Sequence, residues 1–185
     1  PGSEFSGTIA EIADDVTGFT LGDRVFGLTS FGAFAEEVVV PATRLNRMSE
    51  SLGFETAAVL SMAYGAAMYA LFDRGRLQAG ERVLILGATG GVGLAAVELA
   101  TLAGAHVLAV DGDDERLKEA MAKGAETVFN YSAGDLREAC RAFAGQDGID
   151  VILDPVGGAL GESAARCLGW KSRLLVFGFA SGDIP

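Results

Sequence analysis

The sequence has one histidine, two cysteines and few basic residues, and these shortages exclude several classes of function. His106, Cys140 and Cys167 lie too far apart along the chain to predict a zinc site, and no serine has a partner for a hydrolytic triad. With 14 Lys and Arg against 25 Asp and Glu, the net charge of −11 argues against a nucleic-acid partner. No apolar run is long enough to cross a membrane, so we expect no membrane association.

Glycine and apolar residues are, by contrast, abundant. The 185 residues include 26 glycines, and half of all residues are hydrophobic, which favours a well-packed α/β protein with many tight turns. This length suits one domain and part of another. The sequence contains no secretory signal pattern, and we interpret the two cysteines as buried or incidental thiols of a reducing compartment, so a cytoplasmic location is expected.

The segment 82–111 has the pattern of a strand, a glycine-rich turn, a helix and a second strand that ends in an acid. Val83–Leu86 is an unbroken apolar run, as expected for a parallel strand that is covered on both faces. The turn has the spacing A-x-G-x-x-G, which is typical of dinucleotide binding, although its Ala requires a negative φ. Asp111 follows Gly93 by 18 residues, where an acid that binds ribose is expected. The residues predicted to bind the pyrophosphate are Ala88, Gly90, Gly91, Val92 and Gly93.

Strands and helices alternate throughout the second half of the chain. Strands are predicted at 83–86, 106–110, 127–130, 149–153 and 173–177, and helices at 92–103, 113–122, 135–143 and 158–167. The apolar face of the first of these helices is assigned to Leu94, Val97, Leu99 and Leu102. Such alternation predicts an α/β fold with a Rossmann-type, doubly wound parallel sheet, whose ligand lies beyond the carboxyl ends of the strands.

The first 80 residues have a different pattern. Short β-rich runs at 7–13, 23–28 and 33–40, separated by turn residues, predict a small antiparallel β module. Residues 50–80 then have the composition of two short helices.

Several motifs along the whole chain resemble one known family. They are P-G-S-E-F-S-G, G-D-R-V-F-G, A-Y-G-A-A, G-A-T-G-G-V-G, G-A-E-T-V-F-N-Y, D-P-V-G-G and L-L-V-F-G-F-A-S-G. Together they resemble the medium-chain dehydrogenase/reductase superfamily, and within it the zinc-free, zeta-crystallin-like quinone oxidoreductases. The resemblance implies a partial GroES-like catalytic domain at 1–50, connecting helices at 51–80, and a Rossmann domain at 81–185 that is truncated at its C-terminal end. Ser3 stands where zinc-dependent relatives have His, and the cysteine-rich lobe of those relatives is missing after Val25, so no zinc is expected.

The same resemblance implies hydride transfer from NAD(P)H to a quinone or conjugated enone by a protein that is a homodimer when full length. Enoyl reduction of acyl thioesters and non-catalytic nucleotide binding remain as alternatives. By similarity, Ala66 lies beside the nicotinamide carboxamide and Tyr131 near the adenosine phosphate. The nicotinamide end is assigned to Val156, Gly157, Phe177, Gly178 and Phe179. No catalytic residue is assigned, because the family's N-terminal pocket segment is absent, and the 185 residues alone are expected to be inactive.

The choice between NADH and NADPH depends on two residues that predict opposite outcomes. A carboxylate at Asp111 accepts hydrogen bonds from the ribose hydroxyls of NAD and repels a 2′-phosphate. Arg116 occupies a position where NADPH-dependent relatives often have a phosphate-binding lysine, and it would attract that phosphate. We interpret the pair as favouring NADH, with NADPH as the alternative.

Overall fold

A computed structural model of the chain describes residues 1–183, and the chain divides into two compact units, Pro1–Gly65 and Ala66–Pro185. Residues 184 and 185, the end of the predicted Rossmann domain, lie outside the described residues. The first unit holds an antiparallel sheet in the order β1-β2-β3. Its strands are β1 (Glu4–Thr8), β2 (Arg24–Leu28) and β3 (Leu45–Arg47), with a 3₁₀-helix at Ala42–Arg44 before β3.

The third strand of this sheet differs from the predicted one. Residues 33–40 were expected to form a strand but have no regular structure, and Val39 is fully exposed. The third strand is instead β3, which pairs with Val25–Gly27 of β2. The apolar pattern at 33–40 is therefore insufficient, because a strand also requires a neighbour for its backbone hydrogen bonds, and no described strand pairs with this segment.

The helical segment that follows is divided differently from the predicted pair. Helix α1 covers Phe54–Ala57 and α2 covers Leu60–Met68, after which the chain continues as a π-helix over Tyr69–Arg74. The wider turn ends where the Gly75 amide donates to the Ala70 carbonyl oxygen at 2.7 Å. The boundary between the two units falls inside α2.

The second unit contains the predicted parallel sheet. Its strands are β4 (Arg82–Leu86), β5 (His106–Asp111), β6 (Thr127–Asn130), β7 (Ile149–Asp154) and β8 (Leu168–Val176). The helices are α3 (Gly91–Leu102), α4 (Asp114–Ala122), α5 (Leu136–Ala144) and α6 (Gly158–Ala165). All pairs are parallel and the order is β6-β5-β4-β7-β8, which confirms the doubly wound fold. The order reverses at β4, so the ligand crevice of such a sheet lies at the carboxyl end of β4, between β5 and β7.

The core of this unit consists of the central strands and one face of each covering helix. Residues 83–86 of β4 and 151–153 of β7 are fully buried, as expected for parallel strands with helices on both faces. The predicted inner face of α3 is correct for Val97 but wrong for Leu102, which is 78% exposed. The buried face of α3 is formed mainly by small residues, because a helix that lies very close to a sheet has no room for leucine. These small residues are Gly93, Ala95, Ala96 and Ala100.

At the amino end of the sheet, an ion pair joins three segments of this unit. The Arg173 Nη1 and Nη2 atoms donate to the two Glu81 carboxylate oxygens at 2.8 and 2.7 Å, and Arg173 Nε donates to the Gly75 carbonyl oxygen at 2.8 Å. The hydrogen bond from Arg173 lowers the pKa of Glu81 and raises the pKa of Arg173. Such bidentate contacts are the strongest form of a partly exposed ion pair. Within residues 1–183, no helix is both long enough and apolar enough to cross a membrane.

Candidate functional site

The glycine-rich turn after β4 accommodates an alanine because the left-handed conformation falls one residue earlier. Gly87 has a φ of +57°, whereas the only non-glycine residues with positive φ in the described part of the chain are Arg76 and Lys171. Ala88 is completely buried, and its amide donates to the Val110 carbonyl oxygen at 3.1 Å. Ala88 therefore has the negative φ that the sequence pattern requires. Its hydrogen bond to Val110 links the turn after β4 to the end of β5.

The other two glycines of the turn differ in what surrounds them. A Cβ atom on Gly93 would collide with the Gly87 carbonyl oxygen and lie 2.8 Å from the Ala88 Cα, so only glycine lets α3 approach the turn this closely. A Cβ atom on Gly90 would meet nothing nearer than the Gly87 carbonyl oxygen at 3.4 Å, and Gly90 has an ordinary φ of −76°. The protein itself therefore does not require a glycine at position 90, and the open space there lies at the amino end of α3, where backbone amides lack intrahelical partners.

Asp111, at the carboxyl end of β5, bends back onto this turn. Its Oδ2 accepts hydrogen bonds from the Thr89 amide at 3.1 Å and the Thr89 hydroxyl at 2.7 Å. Its Oδ1 accepts from the Gly112 amide at 2.7 Å. The sequence reasoning did not identify Thr89, although a hydroxyl residue within a dinucleotide-type turn is a signal that could have revealed it. A carboxylate has about four lone-pair sites, so three donors leave Asp111 able to accept from a ligand hydroxyl.

Arg116 and Tyr131 lie around the same carboxylate. The Arg116 Nη2 atom donates to the Thr89 carbonyl oxygen at 2.8 Å, while Asp113 caps α4 by accepting from the amides of residues 115 and 116. A Cβ atom on Gly112 would lie 2.5 Å from the Tyr131 hydroxyl oxygen, so the tyrosine ring covers that glycine. The structure thus groups three of the predicted adenosine-side residues, Asp111, Arg116 and Tyr131, about Thr89 and Gly112.

Two segments predicted to bind the nicotinamide end are paired by backbone hydrogen bonds. The Phe177 amide donates to the Asp154 carbonyl oxygen at 3.1 Å, and the Ser181 amide donates to the Val156 carbonyl oxygen at 2.9 Å. A Cβ atom on Gly178 would lie 2.6 Å from the Pro155 carbonyl oxygen, which explains a glycine at this close approach. The loop 155–158 and the segment 177–181 therefore form one surface at the carboxyl ends of β7 and β8, and it includes Val156, Gly157, Phe177, Gly178 and Phe179.

This surface also touches the glycine turn. The Val156 side chain lies 3.2 Å from the position of a Cβ on Gly87, and Pro155 lies 3.4 Å from it. The residues predicted for the adenosine side and those predicted for the nicotinamide side are thus adjacent at the end of β4. Ala66 lies half-buried in α2, and its predicted position beside the carboxamide remains a prediction.

Asp154 also belongs to this site, but the sequence predictions did not name it as a site residue. Its side chain is 1% exposed, and Oδ1 accepts from the amides of Val156 and Gly157, both at 2.8 Å. Within residues 1–183, Oδ2 has no hydrogen-bond partner, and it faces Gly161, where a Cβ atom would collide with it. The carboxylate lies at the amino end of α6, whose dipole favours a negative charge. The sequence did contain a signal for this residue, because the Asp of D-P-V-G-G directly follows a predicted buried strand.

The chemistry available here is binding and positioning. The site offers backbone amides, two carboxylates, one guanidinium and space beside glycines. No cluster of three or more His, Cys, Asp or Glu side chains in the described chain could hold a metal ion. An arrangement of this kind holds a phosphorylated ligand in a fixed orientation, and the reactivity would come from that ligand.

Comparison with known families gives matches over most of the chain. Residues 91–185 match the family described as zinc-binding dehydrogenase, and residues 1–50 match the alcohol dehydrogenase GroES-like domain. Quinone oxidoreductase-like protein 2 of Mus musculus is 43% identical over 185 residues, which is 100% of this chain and 53% of that protein. The chain therefore spans about half the length of the curated relatives that it matches.

Two solved structures have the same fold. The Escherichia coli quinone oxidoreductase complexed with NADPH has a TM-score of 0.90 and 28% identity, covering 100% of this chain and 57% of that one. The CurK enoyl reductase has a TM-score of 0.88 and 28% identity, covering 95% of this chain and 53% of that one.

Proposed function

Because the chain belongs to the medium-chain dehydrogenase/reductase superfamily, we propose that it forms the cofactor-binding part of a zinc-free oxidoreductase. The reaction is hydride transfer from NAD(P)H to a quinone or a conjugated enone. Similarity to quinone oxidoreductase-like protein 2 and to a quinone oxidoreductase complexed with NADPH supports this proposal.

One observation carries it: three structural features meet at the carboxyl end of β4, where the sheet order reverses. They are the turn 87–93, the end of β5 at Asp111, and the loop 155–158 that contacts Gly87. A dinucleotide has a matching arrangement of pyrophosphate, adenosine ribose and nicotinamide. The space beside Gly90, where a Cβ atom would meet nothing nearer than 3.4 Å, is the position that we propose for the pyrophosphate.

The residues of the chain have separate tasks in this proposal. The amides at Gly91, Val92 and Gly93 hold the pyrophosphate at the amino end of α3. Asp111 accepts from the adenosine ribose, and Tyr131 borders the adenosine side. The surface formed by 156–157 and 177–179 orients the nicotinamide and covers it from water, with Ala66 beside its carboxamide. The bound dinucleotide supplies the hydride, and we assign no proton donor among the described residues.

For the choice of cofactor, we propose that the site accepts both NADH and NADPH. Arg116 is exposed and lies on the Thr89 carbonyl oxygen, so its guanidinium is available to a 2′-phosphate. The Asp111 carboxylate lies on the same turn and opposes that phosphate. The carboxylate thus limits the preference for NADPH.

Enoyl reduction of acyl thioesters is a second candidate, and the similarity to the CurK enoyl reductase supports it. Both reactions deliver hydride to an electron-poor atom of a system conjugated with a carbonyl, which in enones and enoyl thioesters is the β-carbon, and both use the same dinucleotide. A panel of quinones, enones and enoyl thioesters, assayed with the full-length protein, distinguishes them by their kcat/KM values. Light scattering of that protein tests the homodimer that we propose for it.

The binding site is tested with the variant Gly90→Val in the 185-residue chain. We expect at least a tenfold loss of NADPH affinity, because the valine side chain enters the space proposed for the pyrophosphate. The Tm should fall by no more than a poorer N-cap residue explains, because a Cβ atom there meets nothing nearer than 3.4 Å. Fluorescence titration measures the affinity. Gly7→Val in β1 is the matched control, since a Cβ there meets nothing within 4 Å. Unchanged affinity in Gly90→Val would contradict the proposal.

A further inference from the structure

Thr89, in the glycine-rich turn, contacts both of the charged residues that are proposed to select the cofactor. Its hydroxyl and its amide donate to Asp111 Oδ2 at 2.7 and 3.1 Å, and its carbonyl oxygen accepts from Arg116 Nη2 at 2.8 Å. These contacts join the turn after β4 to the end of β5 and to α4. Thr89 is 4% exposed, so water has little access to its hydroxyl.

The contacts of Thr89 determine which oxygen of Asp111 can meet a ligand. A carboxylate has about four lone-pair sites, which are shared equally by its oxygens. Thr89 donates twice to Oδ2, whereas Oδ1 accepts one hydrogen bond, from the Gly112 amide at 2.7 Å. Among the donors of residues 1–183, Oδ1 is therefore the oxygen with a lone pair left for a ribose hydroxyl, and the Thr89 hydroxyl holds the carboxylate in that orientation.

We propose that Thr89 is a positioning residue, which limits the preference for NADPH by fixing the Asp111 carboxylate. The inference rests on the proposed binding of a dinucleotide at this turn. The Thr89 hydroxyl keeps the carboxylate near the 2′ position of the adenosine ribose, where it accepts from a hydroxyl of NADH and repels the 2′-phosphate of NADPH.

The contact with Arg116 is independent of the Thr89 side chain. Arg116 donates to the backbone carbonyl oxygen of residue 89, which is present whatever the side chain is. The hydroxyl, by contrast, donates to Asp111. A substitution that removes the hydroxyl therefore weakens the hold on Asp111 and leaves the acceptor of Arg116 in place.

Thr89→Val tests the proposal in the 185-residue chain, because valine has a similar shape and no hydroxyl. We expect the ratio of NADPH to NADH affinity to rise about fivefold, since the carboxylate loses one of its donors and turns more freely away from the ribose. Fluorescence titration with both cofactors measures the ratio. Thr89→Ser keeps the hydroxyl and should restore the wild-type ratio. A wild-type ratio in Thr89→Val, or an equal loss of affinity for both cofactors, would overturn the proposal.

The matched control is Thr101→Val, at the opposite end of α3 from the turn. The Thr101 hydroxyl donates to the Gly124 carbonyl oxygen at 3.0 Å, so this variant also loses a hydrogen bond of a threonine hydroxyl. Its cofactor ratio should equal that of the wild type. Circular dichroism verifies folding, and Thr89→Ala repeats the comparison if valine disturbs the turn.

A double-mutant cycle with Asp111→Ser identifies the residue through which Thr89 acts. When Asp111 is already replaced, adding Thr89→Val should leave the ratio unchanged, because the carboxylate that it positions is gone. An equal rise in both backgrounds would show that Thr89 acts independently of Asp111, contrary to the proposal. If the wild-type chain bound neither cofactor, the proposed function would be wrong and this inference with it, whereas binding of both with an unchanged ratio in Thr89→Val would refute this inference alone.

Discussion

The ends of β5 and β7, which flank β4, each carry a carboxylate, and the two carboxylates are used in different ways. Both oxygens of Asp111 accept hydrogen bonds, and its side chain is half-buried on the glycine turn. Asp154 is completely buried, and among residues 1–183 only one of its oxygens accepts hydrogen bonds, from the two amides of its own loop. We therefore expect Asp111 to face the proposed ligand, whereas Asp154 gives the loop its shape. We expect Asp111 to govern the choice between NADH and NADPH, and Asp154 to govern the free energy of unfolding.

The largest expected effect is that of Asp154→Ala, which removes the only acceptor of two amides in a buried loop. We expect a loss of about 4 kcal/mol in the free energy of unfolding, since each buried donor left unpaired costs about 1–3 kcal/mol. Urea denaturation measures it. Asp154→Asn keeps an acceptor oxygen, and we expect it to lose about half as much. If the alanine variant unfolds like the wild type, Asp154 does not brace the loop.

A smaller effect is expected for Asp111→Ser, which removes the charge that opposes a 2′-phosphate. We expect the ratio of NADPH to NADH affinity to rise at least tenfold, about 1.4 kcal/mol. Titration of both cofactors gives the ratio, and Asp154→Asn serves as the comparison, because it should leave the ratio unchanged. An unaltered ratio in Asp111→Ser would mean that this carboxylate does not face the ribose.

The smallest effect concerns a third carboxylate, Glu81, at the opposite end of the sheet, where no ligand is expected. Its pKa in the folded protein is below the usual value of 4.5, so its ion pair with Arg173 stabilises the fold above that pH and is lost as the pH falls through the lowered value. Glu81→Gln should therefore cost at most about 1 kcal/mol at neutral pH and nothing at strongly acidic pH. Thermal melts across this range test it.

The same variant separates stability from binding. Dinucleotide affinity should be unchanged in Glu81→Gln, because this ion pair lies at the amino end of the strands. If Glu81→Gln lowered the dinucleotide affinity as much as Gly90→Val does, the losses of affinity would reflect lower stability of the fold and not lost contacts with the dinucleotide.

Local patterns in the sequence predicted the second unit well, because each of its elements has its own signal. The apolar run 83–86, the turn glycines and the alternation that follows predicted the strands and helices in the observed order. Short-range patterns predicted a small antiparallel sheet near the amino terminus but not its third strand, because residues 33–40 have strand periodicity whereas β2 pairs with 45–47. Strand pairing depends on which segments meet, and periodicity does not specify that.

The sequence by itself determined the doubly wound fold and the edge of the sheet at which a ligand would lie, since βαβ units have a fixed handedness. It also located the residues of the turn and the acid after β5. Only the tertiary structure decided how these groups are used. It joined Asp111 to Thr89, buried one oxygen of Asp154 without a partner among residues 1–183, and placed Cys140 and Cys167 in one hydrophobic cluster. These features either bring together residues that are distant in sequence or depend on burial. Both conditions arise only when the chain folds.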